Sequence, residues 1–347
     1  MFMFHGALVS FAERRVIYMK IVVVGLGSMG QRRIRLLKKI DSSIELIGVD
    51  SSIERCDNVA VVYGIKTNLD LIDALREIQP DAVIVSTPPM SHAAIIGECL
   101  QAKCHVFTEL NLVDDGYKEN IELAKKKNKE LFLSSTFLYR DEIRYIKKMV
   151  EPMKGHVNYT YHVGQYLPDW HPWENIENYF VSDVKTNGCR ELLAIELPWI
   201  IKTFGEIESV NVASSRKTKL NIKYNDNYII LVQHKNGTFG SLAVDVISRK
   251  PVRNLEIYGE KIYISWNGTP DSLREYDFNM KMEKKINLYK RINKNQNYAS
   301  FIIENAYENE LRTFLNQIKQ KDEAEYTFED DLKTISLINN IERVKIL

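Results

Sequence analysis

The sequence of 347 residues has few cysteines, no excess of charge of either sign and no long apolar run. Its four cysteines form no Cys-x-x-Cys pair and no metal-binding cluster, so we expect neither disulfides nor a metal site and place the protein in the reducing cytoplasm. The 47 basic residues balance 46 acidic ones to a net charge of +1, which gives no reason to expect a nucleic-acid or membrane partner. No apolar run reaches the roughly 18 residues of a membrane-spanning helix.

The composition that remains is that of a globular protein, with 45% hydrophobic and 27% charged residues. The chain is longer than a domain with a single hydrophobic core usually is, which predicts two domains. We divide the chain into an extension at 1–18, a first domain at 19–138 and a second domain at 139–347. The extension lacks a basic region ahead of its apolar stretch, unlike a secretory signal; an ordered arm that packs on the protein is the alternative.

The first domain alternates short β-branched runs with helical patterns, which predicts a parallel sheet with right-handed crossovers. The predicted strands are 20–24, 44–50, 81–87, 104–109 and 131–136, and the predicted helices follow residue 30 and cover 71–78, 91–102 and 117–128. In the second domain we predict strands within 227–236, 237–248, 255–260 and 262–266, and helices at 188–204, 298–320 and 328–345.

The segment GLGSMG at 25–30 matches the pattern Gly-x-Gly-x-x-Gly between a strand and a helix. In dinucleotide-binding folds the first glycine permits a tight turn, the second admits the pyrophosphate and the third allows close helix packing. The free N–H groups at the helix start then face the phosphates. The residues that we expect at the cofactor from this loop are Gly25, Gly27, Ser28, Met29 and Gly30.

Asp50 ends the second predicted strand, where a carboxylate accepts hydrogen bonds from an adenosine ribose. Because a carboxylate disfavours a 2′-phosphate, we expect NAD as the cofactor in preference to NADP. The nearby Arg55 weakens this preference slightly. A glycine turn that binds no ligand is the alternative.

Three segments occur in a recognisable order, namely GLGSMG, PDAVIVSTPPMSHAAI at 80–95 and HVFTELNL at 105–112. Together with the segment at 248–266 and the tail from Tyr307, they resemble the glucose–fructose oxidoreductase/inositol dehydrogenase/rhizopine catabolism (Gfo/Idh/MocA) family. The resemblance implies a Rossmann domain for a nicotinamide dinucleotide, followed by an α/β domain with an open, mainly antiparallel or mixed sheet. That second domain would receive a sugar-like or cyclitol-like substrate and form contacts in a homo-oligomer.

The resemblance also assigns residues to the cofactor site. Thr87 and Pro88 match the family's loop under the cofactor, and His92 matches the histidine that usually follows it. Glu109 follows a buried strand at its C-terminal end, where α/β sheets place ligands. Asn111, beside it, either contacts the nicotinamide amide or turns the chain.

The sequence departs from the family pattern where acid–base chemistry is expected. Leu110 stands where the family commonly has the lysine of Glu-Lys-Pro, and leucine has no ionisable group. When residues 187–198 are aligned without a gap to the family's corresponding helix, Leu192 falls on its Asp and Ile195 on its His. In the aromatic segment, His171 stands where the family often has an arginine. Glu196 alone falls on an acidic match. The candidate catalytic residues are therefore Glu109, Glu191, Glu196 and His171.

The segment at 159–180 is rich in aromatic residues and contains two prolines, which restrict the conformations of a loop. We therefore predict a loop whose aromatic rings stack on a sugar. The candidate substrate-binding residues are Trp170, His171, Trp173 and Arg190. A core or oligomer-interface loop is the alternative, and Glu191 or Glu196 could instead belong to a solvated helix start or a salt bridge. We therefore consider two functions: an NAD(P)-dependent oxidoreductase for a sugar, cyclitol or nucleotide-sugar derivative, and an NAD-binding protein without net redox turnover.

Overall fold

A computed structural model of the chain describes residues 19–170, 172, 175–294 and 302–343. The extension at 1–18 lies outside these ranges. Within them, no helix has both the length and the apolar character needed to cross a membrane. The four cysteines are all buried, and none is bridged.

Six parallel strands form the sheet of the first domain, in the order β3-β2-β1-β4-β5-β6. In chain order the elements are β1 (Lys20–Val24), α1 (Ser28–Ile40), β2 (Glu45–Val49), α2 (Ile53–Tyr63), β3 (Lys66–Asn68), α3 (Leu71–Ile78), β4 (Ala82–Val85), α4 (His92–Gln101), β5 (His105–Thr108), α5 (Tyr117–Lys127) and β6 (Leu131–Leu133). β1 pairs with both β2 and β4, so the strand order reverses beside it. Ligands of such sheets bind in the crevice at this reversal.

Two elements of this domain, α2 and β3, were not predicted from the sequence. The helix α2 leaves Ile53, Val61 and Val62 exposed, so its apolar residues do not mark one buried face. β3 consists of three polar residues at the edge of the sheet, where only one neighbour is needed. Neither element therefore carries the hydrophobic period that identifies helices and strands.

The second domain contains a mixed sheet of eight strands, in the order β14-β13-β12-β11-β7-β10-β9-β8. Its elements are α6 (Asp141–Val150), β7 (Val157–Gly164), α7 (Gly188–Phe204), β8 (Ile207–Ser215), β9 (Asn227–His234), β10 (Phe239–Asp245), β11 (Val252–Gly259), β12 (Ile262–Trp266), β13 (Arg274–Asp277), β14 (Met282–Lys285), α8 (Glu304–Ile318) and α9 (Phe328–Arg343). β7 and β10 run parallel, whereas β7 and β11 run antiparallel. The two sheets confirm the predicted fold class.

The prediction of a loop from residue 159 was wrong for residues 159–164, which form most of β7. Tyr159 and Tyr161 are buried and pack on α7, with ring centroids 4.2 Å from Phe204 and 5.4 Å from Trp199, respectively. The aromatic residues therefore alternate with more exposed ones because they line the covered face of a strand.

The last two helices, which we grouped with the second domain, pack against the first. Phe314 of α8 lies 5.6 Å from Phe107 of β5 and 5.7 Å from Phe132 of β6, measured between ring centroids. The hydroxyl of Tyr117 in α5 donates to Asp331 of α9 at 2.5 Å. Helices α8 and α9 therefore pack on the first domain, and α9 also contacts Arg190 of α7 in the second.

Candidate active site

The glycine loop between β1 and α1 has the geometry that a pyrophosphate requires. Gly25 has a φ of +87°, and a Cβ there would lie 2.7 Å from the backbone of Ser86. A Cβ on Gly30 would lie 1.8 Å from the carbonyl oxygen of Gly25, so the helix can approach the strand only without a side chain. A Cβ on Gly27 would meet nothing within 4 Å. Gly27 therefore borders open space at the N-terminus of α1, where no side chain caps the helix.

Residues Ser28 and Met29 form the first turn of α1 beside this space, Ser28 exposed and Met29 partly so. Helix N-termini attract anions through their unsatisfied N–H groups and the helix dipole. The residues present thus fit a dinucleotide phosphate.

Asp50 lies directly after β2 and is held by the same loop. One carboxylate oxygen accepts from the N–H of Leu26 at 2.8 Å, and the other accepts from the N–H of Ser52 at 2.9 Å. The guanidinium of Arg55, itself largely exposed, lies 3.5 Å from the carboxylate. Asp50 is 7% exposed, and its carboxylate lies beside the glycine loop, with the Arg55 cation on its solvent side.

His92 and Asn111 join the loop after β4 to the loop after β5. The His92 ring contacts the carbonyl oxygen of Thr87 through Nε2 at 2.7 Å and the side chain of Asn111 through Nδ1 at 2.5 Å. Both residues are 2% exposed, and burial lowers the pKa of His92. Their polar atoms face the interior, whereas Thr87 is partly exposed and Pro88 exposed. The buried His92 ring therefore links Asn111 to the backbone of the loop after β4.

Glu109 forms an ion pair that the sequence analysis did not anticipate. Its carboxylate accepts from the guanidinium of Arg33 at 2.6 and 3.0 Å, and Arg33 also binds Glu310 of α8 at 2.9 Å. Arg33 and Glu310 are completely buried. Burial raises the pKa of Glu310, and the Arg33 charge opposes that shift. One buried cation thus binds two carboxylates and joins α1, the residue after β5 and α8.

A signal for this cluster exists in the sequence. Arg33 lies at the helical spacing of Gly30, Ile34 and Leu37, all of which are buried in α1. A charged residue on an apolar helix face needs a buried partner of opposite charge. The identity of that partner cannot be read from the spacing.

Glu196 is also fully engaged. Its side chain is 0% exposed, and one oxygen accepts from Tyr161 at 2.8 Å and from Trp199 at 2.6 Å. The other oxygen is paired with the guanidinium of Arg253 at 2.5 Å. This arrangement binds α7 to the sheet of the second domain and leaves Glu196 no surface for a substrate.

Arg190 points toward the C-terminal helix. Its guanidinium donates to the carbonyl oxygen of Leu112 at 2.6 Å and contacts Glu342 and Asn339 of α9 at 2.5 and 2.7 Å. The residue is 5% exposed. Arg190 thus ties the loop after β5 to α7 and α9.

Glu191 differs from the other two carboxylates. It lies in the first turn of α7, is partly exposed, and has one buried oxygen that finds no hydrogen-bond partner within the described ranges. Burial raises its pKa to about 7. A carboxyl group with this property can accept or donate a proton near neutral pH.

The aromatic loop is described only in part. The indole N–H of Trp170 donates to the carbonyl oxygen of Gln165 at 3.1 Å, and the ring approaches Gly188 at the start of α7. Trp170 therefore lies at the same helix start as Glu191. The candidate residues His171 and Trp173 lie outside the described residues. No group of three or more potential metal ligands occurs in the part of the chain that is described.

Comparison with known proteins agrees with this geometry. Residues 19–135 match the family model described as "Oxidoreductase family, NAD-binding Rossmann fold", named GFO_IDH_MocA. A 4-carboxy-2-hydroxymuconate-6-semialdehyde dehydrogenase of a Sphingobium species is 35% identical over 32% of this chain and 35% of its own length. Myo-inositol 2-dehydrogenase of Thermotoga maritima is 30% identical over 38% of this chain and 41% of its own. The chain thus matches less than half the length of these two relatives.

The likeness of the folds extends further than that of the sequences. The structure of UDP-N-acetylglucosamine 3-dehydrogenase from Acidithiobacillus ferrooxidans superimposes with a TM-score of 0.74 and 18% identity. The superposition covers 94% of this chain and 97% of that one. Both domains therefore have the fold of that dehydrogenase.

Proposed function

Because this chain belongs to the Gfo/Idh/MocA oxidoreductase family, we propose that it binds NAD(H) and oxidises or reduces a sugar, cyclitol or nucleotide-sugar derivative. The observation that carries the proposal is the open space over Gly27 at the uncapped N-terminus of α1. The names of the relatives support a polyhydroxylated substrate, since they include an inositol dehydrogenase and a nucleotide-sugar dehydrogenase.

The cofactor would lie along the carboxyl edge of the first sheet. The N–H groups of α1 near Gly27 would bind its pyrophosphate, Asp50 would accept from the adenosine ribose, and Thr87 and Pro88 would line its further course. When bound, a nicotinamide dinucleotide supplies the hydride acceptor or donor. We favour NAD over NADP because the Asp50 carboxylate repels a 2′-phosphate.

Proton transfer would fall to Glu191. Glu109 and Glu196 are each paired with an arginine, whereas one buried oxygen of Glu191 has no hydrogen-bond partner among the described residues and burial raises the pKa of this carboxyl to about 7. A carboxylate that is half-protonated near neutral pH can take the proton of a substrate hydroxyl and return it in the reverse direction. Trp170, at the same helix start, would cover the apolar face of the sugar.

A second function is favoured by the side chains at the family's acid–base positions. Leu110 and Leu192 replace ionisable groups there, so the chain could hold NAD without net redox turnover. The cofactor would then serve a structural or sensing role, or would be oxidised and reduced again within one reaction. The two functions share the cofactor site and differ in whether NADH accumulates.

The cofactor site is tested with Gly27→Ala. The φ of Gly27 is −70°, which alanine adopts readily, and the added methyl group enters open space, so the variant should fold. It should nevertheless weaken NADH binding at least tenfold, because the methyl group occupies the approach of the pyrophosphate. Calorimetry measures the affinity, and Gly97→Ala in α4, whose methyl group would lie 3.3 Å from the side chain of Asn120, is a control outside the loop. Wild-type protein that binds neither NAD(H) nor NADP(H) would disprove the proposal.

Turnover separates the two functions. Purified protein is incubated with NAD and a panel of sugars, inositols and nucleotide sugars, and absorbance at the NADH band is followed. Steady NADH formation supports the oxidoreductase, and its loss in Glu191→Gln with NAD affinity unchanged supports Glu191 as the base. Tightly held NAD without turnover on any compound supports the second function.

We also propose that the uncovered face of the second sheet joins two copies of the chain. Ile229 and Leu231 of β9 and Phe239 of β10 are 44%, 58% and 54% exposed on this sheet. Apolar side chains exposed together usually mark an interface. Light scattering should report an oligomer that Leu231→Asp dissociates, and a monomeric wild type would contradict this assembly.

A further inference from the structure

Asparagine followed by glycine occurs three times in the chain, at 187–188, 236–237 and 267–268. In such a pair the backbone nitrogen of the glycine can attack the side-chain Cγ of the asparagine, because glycine has no side chain to hinder the approach. Ammonia leaves, and water opens the resulting cyclic succinimide to aspartate or isoaspartate. Hydrogen bonds that hold the attacking nitrogen or the amide must break first, so the fold decides which pair reacts.

The first pair is held tightly at the start of α7. The amide nitrogen of Asn187 donates to the carbonyl oxygen of Val184 at 2.9 Å and to the carboxylate of Glu342 at 2.7 Å. Its amide oxygen accepts from the N–H of Arg190 at 2.8 Å, and the residue is 2% exposed. Both ends of the amide are therefore engaged in the interior, and the Cγ of Asn187 is not free to turn toward the next residue.

The second pair is held in the turn between β9 and β10. The amide nitrogen of Asn236 donates to the carbonyl oxygen of Phe204 at 2.7 Å, and its amide oxygen accepts from the N–H of Thr238 at 3.0 Å. The N–H of Gly237 donates to the carbonyl oxygen of His234 at 3.0 Å. The leaving group and the attacking nitrogen of this pair are thus both engaged.

The third pair follows β12 and lacks this protection. Asn267 is exposed, and its amide oxygen accepts from the N–H and the hydroxyl of Thr269 at 3.2 and 2.8 Å. Among the described residues, neither the amide nitrogen of Asn267 nor the N–H of Gly268 donates a hydrogen bond. The leaving group and the attacking nitrogen are therefore both available here. Because the second and third pairs are each followed by threonine, their local sequences do not explain the difference.

From this contrast we propose that Asn267 is a site of spontaneous deamidation, and that the fold protects Asn187 and Asn236. The nitrogen of Gly268 loses its proton to a base in the solvent and bonds to the Cγ of Asn267, and the amide nitrogen leaves as ammonia. Water then opens the succinimide at either of its carbonyl groups. The modification adds one negative charge and does not depend on the proposed oxidoreductase activity.

The two products differ in their effect on the second domain. Aspartate keeps an oxygen that accepts from Thr269, whereas isoaspartate adds a methylene group to the backbone of the turn. The carbonyl oxygen of Gly268 accepts from Arg140 at 3.1 Å, and that of Thr269 accepts from the indole N–H of Trp266 at 3.0 Å. Arg140 and Trp266 are buried, so a displaced turn leaves interior donors without their acceptors. We therefore expect isoaspartate to destabilise the second domain.

The proposal is tested on the folded full chain, which is incubated at neutral and at mildly alkaline pH. Mass spectrometry then measures deamidation in the peptides that contain the three pairs. We expect Asn267 to react at least about tenfold faster than Asn236, because two additional hydrogen bonds hold the latter pair. The rate should rise with pH, since the attacking nitrogen must lose a proton. Equal rates at Asn236 and Asn267, or a faster reaction at Asn236 or Asn187, would overturn the proposal.

The same chain unfolded in urea is the control for the role of the fold. Asn236 and Asn267 should react at similar rates there, because the protecting hydrogen bonds are lost. If Asn267 stays faster by the same factor in urea, the fold does not select the site and the proposal is wrong.

The variant Asn267→Ser tests the effect on stability. Serine keeps an oxygen that can accept from Thr269 and cannot form a succinimide. The melting temperature of the wild type should fall during incubation, whereas that of the variant should stay constant. An equal fall in both proteins would show that isoaspartate at 267 does not destabilise the second domain.

Discussion

Replacement of Glu191 by glutamine should make the protein more stable at alkaline pH and leave its stability unchanged at acid pH. The carboxyl group is nearly surrounded by protein, and its buried oxygen has no partner within the described residues. Ionisation inside the fold is therefore unfavourable, which raises the pKa from 4.5 to about 7. Glutamine keeps the size of the side chain and never ionises.

The magnitude follows from proton linkage. Between pH 4.5 and about 7 the folded protein holds a proton on Glu191 that the unfolded chain has released, so stability falls as the pH rises through this window. The shift corresponds to about 3 kcal/mol, and because the side chain is partly exposed we expect roughly 2 kcal/mol in practice. The free energies of unfolding of variant and wild type should thus agree near pH 4.5 and differ by this amount above pH 8.

Urea unfolding at a series of pH values measures this difference. Glu54→Gln, at an exposed carboxyl in the first turn of α2, is the control for the removal of one carboxyl group. A difference between Glu191→Gln and wild type that stays constant across the series would refute the reasoning. It would mean that Glu191 ionises as freely in the folded state as in the unfolded chain.

Three further predictions concern the paired charges and the glycine loop. Arg33→Met should lower the free energy of unfolding in urea by about 3–5 kcal/mol, and by more at pH 8 than at pH 5, because two buried or nearly buried carboxylates lose their cation. An unchanged unfolding midpoint would contradict the pairing. Gly30→Ala should lower the soluble expression and the melting temperature, because the added Cβ would lie 1.8 Å from a backbone oxygen. Gly27→Ala should melt close to the wild type, and equal melting temperatures of the two variants would count against the tight turn. Asp50→Ser should shift the ratio of NADPH to NADH affinity at least tenfold toward NADPH, since Arg55 then faces the 2′-phosphate alone; a ratio unchanged in fluorescence titrations would remove Asp50 from the selection of the cofactor.

Local sequence patterns were sufficient for the first sheet and its glycine loop. Val22, Val23 and Ile84 belong to β-branched runs that only a strand buried on both faces accommodates. The spacing of Gly25 and Gly30 reflects a close contact between these two residues, although the backbone of Ser86 also confines Gly25. The edge strand β3 was missed because it has no apolar period. The β-branched runs and the glycine spacing are short patterns along the chain, so they can be recognised without knowledge of the tertiary structure.

The roles of the charged residues depended on tertiary structure. Glu109, Glu191 and Glu196 look alike in the sequence, since each lies beside apolar residues where a carboxylate could act. The fold pairs Glu109 with an arginine 76 residues away and Glu196 with one 57 residues away, whereas one buried oxygen of Glu191 has no hydrogen-bond partner within the described part of the chain. The elements that pack against a buried carboxyl decide whether a cation neutralises it or it retains its proton. Because these elements are distant in the sequence, the local hydrophobic pattern does not predict the outcome.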